Sequence, residues 1–166
     1  LSWGDSLKRI TGINYHRLAF MIRHDLALYA SHIPLDAHPR YGNNIIIARA
    51  LKLRRLEKFG NYQGAAVGFA GALPRPMPYQ QFKRRIEKIF GNRLRSMDFG
   101  LRTVRTVAII SGGGGELIAE AGRKGFDVYL SGECQLPAYH VARECRLNAV
   151  FAGHYATEKF GVMALA

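Results

Sequence analysis

An α/β fold, with mixed and parallel sheets linked by helical crossovers, is what this sequence predicts, and three observations carry the prediction. From Val104 onward, short apolar runs alternate with helical stretches: strand 104–110, glycine turn 112–115, helix 116–124, strand 126–130, helix 135–146 and strand 149–151. Parallel strands need long crossover connections, usually helical, and this spacing supplies them. Next, Tyr79 to Phe90 sets Phe82, Ile86, Ile89 and Phe90 on one helical face and leaves the rest to Lys83, Arg84 and Lys88, so that helix packs by its aromatic side. Finally, 166 residues with 48% apolar content fill the core of one ordinary α/β domain.

The earlier elements read as follows. His16 to Arg23 is a short amphipathic helix, and Leu26 to Ser31 a buried strand. That strand runs into a loop at His32-Ile33-Pro34-Leu35-Asp36, where Pro34 argues against a helix. Asn43-Asn44 offers an N-cap for a helix from Ile45 to about Lys58, which Gly60 stops. Gly64 to Leu73 is a glycine-diluted strand, and Pro74, Pro76 and Pro78 form a stiff connector into the Tyr79 helix. No fixed-period repeat or low-complexity tract interrupts this order.

The net charge of +12 is unevenly spread. Residues 40–105 hold 15 of the 24 Lys and Arg against three acids, Glu57, Glu87 and Asp98, so this segment alone carries +12 and the flanks balance. Within it, 60–105 stands out as a basic sub-region. Such a segment attracts nucleic acid, a nucleotide or an acidic partner subunit, or simply keeps the surface solvated. No apolar run reaches membrane-spanning length, so no membrane partner is expected. Cys134 and Cys145 stand eleven positions apart in one predicted helical segment, too far for a bridge, and read as reduced thiols of a cytoplasmic protein.

Ligands of parallel sheets gather at the carboxyl ends of the strands, and His32, Ser111, Glu133 and His154 each follow a predicted strand. His32 and Asp36 put an imidazole and a carboxylate near one strand end, either as metal ligands or as a turn-forming Asp beside a core histidine. His154 and Glu158 stand at i and i+4 on one helix face, able to converge on one ion or to form a surface pair. Asp36, His154 and Glu158 together offer oxygen and nitrogen ligands without thiolate, a mixture that suits Zn, Fe or Mn. Ser111-Gly112-Gly113-Gly114-Gly115 lacks the residues of a P-loop and reads as a tight strand-to-helix turn, with anion binding as the alternative. Glu133 follows another strand end and suits proton transfer. His140, mid-helix, reads as packed.

In order along the chain, His32-Ile33-Pro34-Leu35-Asp36-Ala37 with Gly42-Asn43-Asn44, then Ser111-Gly112-Gly113-Gly114, Ser131-Gly132-Glu133 and Gly153-His154-Tyr155-Ala156-Thr157-Glu158 resemble the motifs of the Nif-three-like dinuclear-metal proteins, often labelled GTP cyclohydrolase type 2 homologs. The resemblance implies a Nif-three-like α/β fold, a ring-shaped homohexamer and two divalent metal ions. It makes Asp36, His154 and Glu158 metal ligands, with His32 close to or on the ions. Members of that family carry two adjacent histidines just before the stretch resembling Leu1-Ser2-Trp3-Gly4. The resemblance therefore reads residues 1–166 as one metal-binding unit that is a fragment, holding about half to two-thirds of the ligands such a site needs.

Two functions follow. One is a metal-dependent, hydrolase-like protein in which bound ions acidify a water, with Glu133 or His32 handling protons and a nucleotide-like substrate. The other is a nucleic-acid or nucleotide-binding scaffold that uses the basic segment and keeps the metals structural.

Overall fold

The computed structural model describes residues 9–166. The stretch Leu1-Ser2-Trp3-Gly4 lies outside the described residues. The chain divides into two compact units, the first ending at Ser31 and the second starting at His32. The first contributes helix α1 (Gly12–Arg23), the helix expected from His16 but begun at Gly12. Leu26 to Ser31, expected as a buried strand, forms none, and Leu26, Leu28 and Tyr29 are exposed. A strand is stable only with hydrogen-bonded neighbours, and the described residues of this unit offer it none.

The second unit runs α2 (Ile33–Ala37), α3 (Asn43–Ala50), β1 (Arg54–Tyr62), β2 (Ala65–Pro78), α4 (Tyr79–Phe90), β3 (Arg95–Asp98) and β4 (Thr103–Ile110). A 3-10 turn (Gly114–Leu117) then leads into α5 (Ile118–Arg123), β5 (Val128–Ser131), α6 (Ala138–Glu144), β6 (Asn148–Phe151) and α7 (His154–Leu165). One six-stranded mixed sheet has the order β1-β2-β4-β5-β6-β3. Strands β4, β5 and β6 are parallel, as the alternation predicts, while β1, β2 and β3 add antiparallel pairs at the two sides.

Three local expectations fail for identifiable reasons. Pro34 does not exclude a helix, because it occupies the first turn of α2, where its missing N–H has no partner to lose. The helix expected to reach Lys58 stops at Ala50 and is followed by β1. Its end is a Schellman turn: Lys52 takes φ +54°, its N–H donates to Arg49, and the Leu53 N–H donates to Ala48. A lysine in the position glycine usually fills leaves no stop signal to read. Pro74, Pro76 and Pro78 lie inside β2, and Pro74 and Pro76 fall in the irregular stretch between Ala72 and Met77, where the ladder to β4 is interrupted and no N–H is required of them.

The sheet buries side chains on both faces by simple alternation. Val107 and Ile109 of β4, Leu130 of β5 and Val150 of β6 pack with Ile47, Leu51, Phe82 and Ile86 from α3, its C-terminal turn and α4. Ala108, Ile110, Tyr129, Ala149 and Phe151 point the other way, onto Ile118, Ala121 and Ala142 of α5 and α6. Phe82 is fully buried, a contribution of about 2–3 kcal/mol from hydrophobic transfer alone. The register aligns Ile110, Ser131 and Phe151 across the three parallel strands, so Ser111, Gly132 and Ala152 leave the sheet side by side.

Candidate metal centre

Two short segments converge at that carboxyl edge. Helix α2 carries Asp36, buried at 7% exposure, and is preceded by His32, which is exposed rather than a core histidine. Helix α7 carries His154 at its first position and Glu158 one turn on. One ligand atom each from His32, Asp36 and Glu158 lies within 4.8 Å of the other two. Ligands about 2.1 Å from a tetrahedral ion stand about 3.4 Å apart, so the three side chains need shift by only about an ångström to share one.

Asp36 is held by residues that sequence reading assigned elsewhere. Its Oδ1 accepts hydrogen bonds from Asn43 Nδ2 (2.8 Å) and Ser111 Oγ (2.9 Å). Asn44, fully buried, donates to the Asp36 carbonyl (3.3 Å) and the Val67 carbonyl (2.9 Å), and its Oδ1 accepts from the Ser111 N–H (2.6 Å). Asn43 also accepts from the Gly161 N–H of α7 at 2.6 Å. The Asn43-Asn44 pair is therefore a buried tie among α2, α3, the β4 exit and α7, and the N-cap expected of it falls to Gly42. The available clue was two adjacent amides preceding an apolar run, a pattern shared with ordinary caps.

The glycine turn closes over Glu158. Gly112 takes φ +62°, and a Cβ there would sit 2.0 Å from Glu158 Oε1 and 3.0 Å from His154 Nε2. Its N–H donates to Thr157 Oγ1 (2.9 Å), and its carbonyl accepts from the N–H groups of Gly132 (3.1 Å) and Glu133 (2.9 Å). The exits of β4 and β5 and helix α7 are thus stitched together by one residue without a side chain. Among the described residues this turn lines the carboxylate site rather than an isolated phosphate loop.

His154 is placed between two carboxylates, with Nδ1 2.7 Å from Glu133 Oε1 and Nε2 3.0 Å from Glu158 Oε1. Partial burial opposes a charge on the ring, but Glu133 and Glu158 outweigh it and raise the His154 pKa above the usual histidine value. Burial raises the Glu158 pKa above the usual carboxylate range, with Asp36 adding to the rise and His154 and His32 opposing it. A cation at this point would relieve both conditions. The residues present therefore suit a divalent ion: an imidazole and two carboxylates converge, and a second imidazole stands beside them, braced by Glu133.

The five residues singled out from the sequence thus lie at one edge in two linked groups: His32, Asp36 and Glu158, then His154 with Glu133. His140 is exposed, not packed, because it lies on the outward face of α6. Cys134 and Cys145 are both free thiols, and Cys134 precedes α6 instead of sharing a helix with Cys145. Several cations of the basic segment are occupied at home: Arg49 binds the carbonyls of Pro39 and Arg40, Lys58 that of Ala37, and Arg85 that of Leu51. Among the described residues no helix is long and apolar enough to cross a membrane.

A mixed sheet with a carboxylate-imidazole cluster at the exits of its parallel strands defines the class. The chain belongs to the Duf34/NIF3 (NGG1p interacting factor 3) family, whose model matches residues 2–166. It is 48% identical over 166 residues to a GTP cyclohydrolase 1 type 2 homolog of Deinococcus radiodurans, covering 100% of this chain and 63% of that protein. A homolog of the same description from Pyrococcus horikoshii is 40% identical over 164 residues, covering 98% and 65%. The crystal structure of a Thermus thermophilus protein superposes with a TM-score of 0.84 at 34% identity, over 99% of this chain and 64% of that one. The chain thus spans somewhat less than two-thirds of the length of these three relatives.

Proposed function

We propose that this chain carries a dinuclear divalent-metal site and acts as a metal-dependent, hydrolase-like protein on a small nucleotide-like substrate. The convergence of His32, Asp36 and Glu158 is the observation that supports this reading most strongly. Asp36, Glu158 and His154 hold the ions, Zn, Fe or Mn by the chemistry of the donor set, with His32 completing the cluster. Asn43 and Ser111 fix Asp36 in place, and Gly112 leaves room for the Glu158 carboxylate. Ions of this kind supply Lewis acidity and a water acidified toward neutral pH. Glu133, exposed and hydrogen-bonded to His154 Nδ1, is the group placed to take and return protons at that atom. The name carried by the relatives favours a nucleotide-like substrate, and the family resemblance a homohexamer in the cytoplasm.

Elemental analysis of the whole protein tests the reading. About two divalent ions per chain are expected, with loss on His154→Ala or Asp36→Ala; fewer than about one ion, or no loss on either substitution, refutes it. The competing scaffold reading draws on Arg54, Arg55, Arg84 and Arg85, of which the first three are exposed and Arg85 is half-buried on the Leu51 carbonyl. It requires nucleic-acid affinity that falls steeply with salt and disappears on charge reversal at those positions.

A further inference from the structure

A cleft of about 390 Å³ opens beside His154, lined by Asn92, Arg93 and Arg95 on one side and by Glu133, Cys134 and Gly153 among the residues of the other. Its position follows from the fold. Strand β3 pairs antiparallel with β6, and Arg95 lies opposite Phe151, the last residue of β6 before the turn that presents His154. Asn92 Nδ2 donates to the Ala152 carbonyl at 2.7 Å, pinning the approach to β3 against that same turn. The backbone that carries the two arginines is therefore anchored beside His154, with Arg95 in β3 and Arg93 between β3 and the tethered Asn92.

Their charges are uncompensated. Among the described residues no carboxylate pairs with Arg93 or Arg95, and the carboxylate that lines the cleft, Glu133, is engaged by His154 at 2.7 Å. Other cations of the basic segment are occupied, as with Lys83 on Asp98 and Arg85 on the Leu51 carbonyl, while Arg54, Arg55 and Arg84 are exposed but do not line this cleft. Two guanidinium forks facing one cleft present ten N–H donors between them, five each. A carboxylate carries one negative charge, which one fork matches, whereas a phosphoryl group has three oxygens and about two negative charges to share between two forks. The cleft's volume falls in the range of small-molecule sites and is too small for a folded partner.

We infer that this cleft is the binding subsite for the phosphoryl group of a small phosphomonoester, held by Arg93 and Arg95 with the rest of the molecule directed to the Glu133–His154 side. The inference names the substrate class of the proposed metal-dependent function and rests on that reading for what happens to the molecule once bound; binding by the arginines does not require it. Phosphate itself coordinates metals, so the test is made on metal-stripped whole protein, with inorganic phosphate and acetate as probes and titration calorimetry as the readout. Phosphate is expected to bind, acetate to bind at least tenfold more weakly, and Arg93→Gln and Arg95→Gln each to weaken phosphate about tenfold, with Arg95→Lys recovering part of the loss. Arg143→Gln, in the last turn of α6 and outside the lining of the cleft, is expected to leave the affinity unchanged. Phosphate affinity unaffected by both glutamine substitutions, or acetate bound as well as phosphate, overturns the inference. Metal content, measured separately on the untreated protein and on both glutamine variants, is expected to be unchanged by them. Loss of phosphate binding with full metal content supports the subsite, and arginine-dependent phosphate binding by a protein that takes up no metal supports it while refuting the metal reading alone.

Discussion

Replacing Gly112 with alanine strikes the site through geometry alone, without touching a ligand. At φ +62° an alanine costs about 1–2 kcal/mol of left-handed strain. Its Cβ would also overlap Glu158 Oε1 at a separation no non-bonded pair tolerates, so the carboxylate must shift from its present place beside His32 and Asp36. At roughly 2–4 °C per kcal/mol for a chain of this size, strain alone predicts a Tm lower by roughly 2–8 °C. Displacing Glu158 predicts metal affinity weakened by at least about tenfold, the scale seen when groups orienting metal ligands are disturbed. Gly113→Ala is the internal comparison. Gly113 has no positive φ, and its Cβ would meet only Glu133 Oε2 at an ordinary 3.6 Å, so Tm and affinity should barely change. Thermal melts and chelator-competition titrations on both variants decide the matter. A folded Gly112→Ala protein that binds metal as tightly as the parent, or two variants that behave alike, refutes the account of this turn.

Other substitutions probe the supports. Asn44→Ala leaves the Ser111 N–H and the Val67 carbonyl buried without their partner and should cost about 2–4 kcal/mol in denaturant melts; a loss below about 0.5 kcal/mol contradicts the tie described for it. Asn43→Ala should lower metal affinity about 10–100-fold by freeing Asp36, read by the same chelator titration. In metal-stripped protein, Glu133→Gln should bring the His154 imidazole titration, followed by NMR, back toward the ordinary histidine value. The raised His154 pKa stabilises the metal-free fold below about pH 6.5, and that contribution disappears as pH rises through the folded value; an unmoved titration in Glu133→Gln argues against the pairing. Asp98, on β3, has a pKa below the ordinary value: burial opposes its charge, and hydrogen bonds from Lys83 and Tyr79 more than reverse that. Its stabilisation is present above about pH 3.8 and lost as pH falls through the lower folded value, so Asp98→Asn should flatten the acid limb of the stability curve.

The parallel half of the fold was readable because apolar runs, glycine turns and helical faces agree from Val104 onward, and α4 because its aromatic face is unambiguous. The antiparallel half was hidden. Leu51 to Lys58 is rich in helix-favouring Leu, Lys, Arg and Glu, yet Lys52 in a left-handed conformation ends α3, and pairing with β2 draws the following residues into β1. Strand β3 has four residues, two of them charged, and exists by its pairing with β6, a long-range contact that leaves no periodic trace. Glu133 and His154 were found because their positions after β5 and β6 carry a topological meaning, and Glu158 because it stands one turn beyond His154, whereas His32 and Asp36 were placed after a strand, Leu26 to Ser31, that does not form. Asn43, Asn44, Ser111 and Thr157 were not assigned support roles, since a buried amide or hydroxyl looks in sequence like any cap or turn residue.

Anomalous scattering from crystals of the intact protein, measured above and below the Zn, Fe and Mn edges, tests the central claim most directly. Two peaks per chain are predicted at the carboxyl edge of β4, β5 and β6, within about 2.0–2.3 Å of ligand atoms from Asp36, Glu158 and His154, and absent in Glu158→Ala. Peaks elsewhere, or none in metal-replete protein with these side chains in the arrangement described, would contradict it.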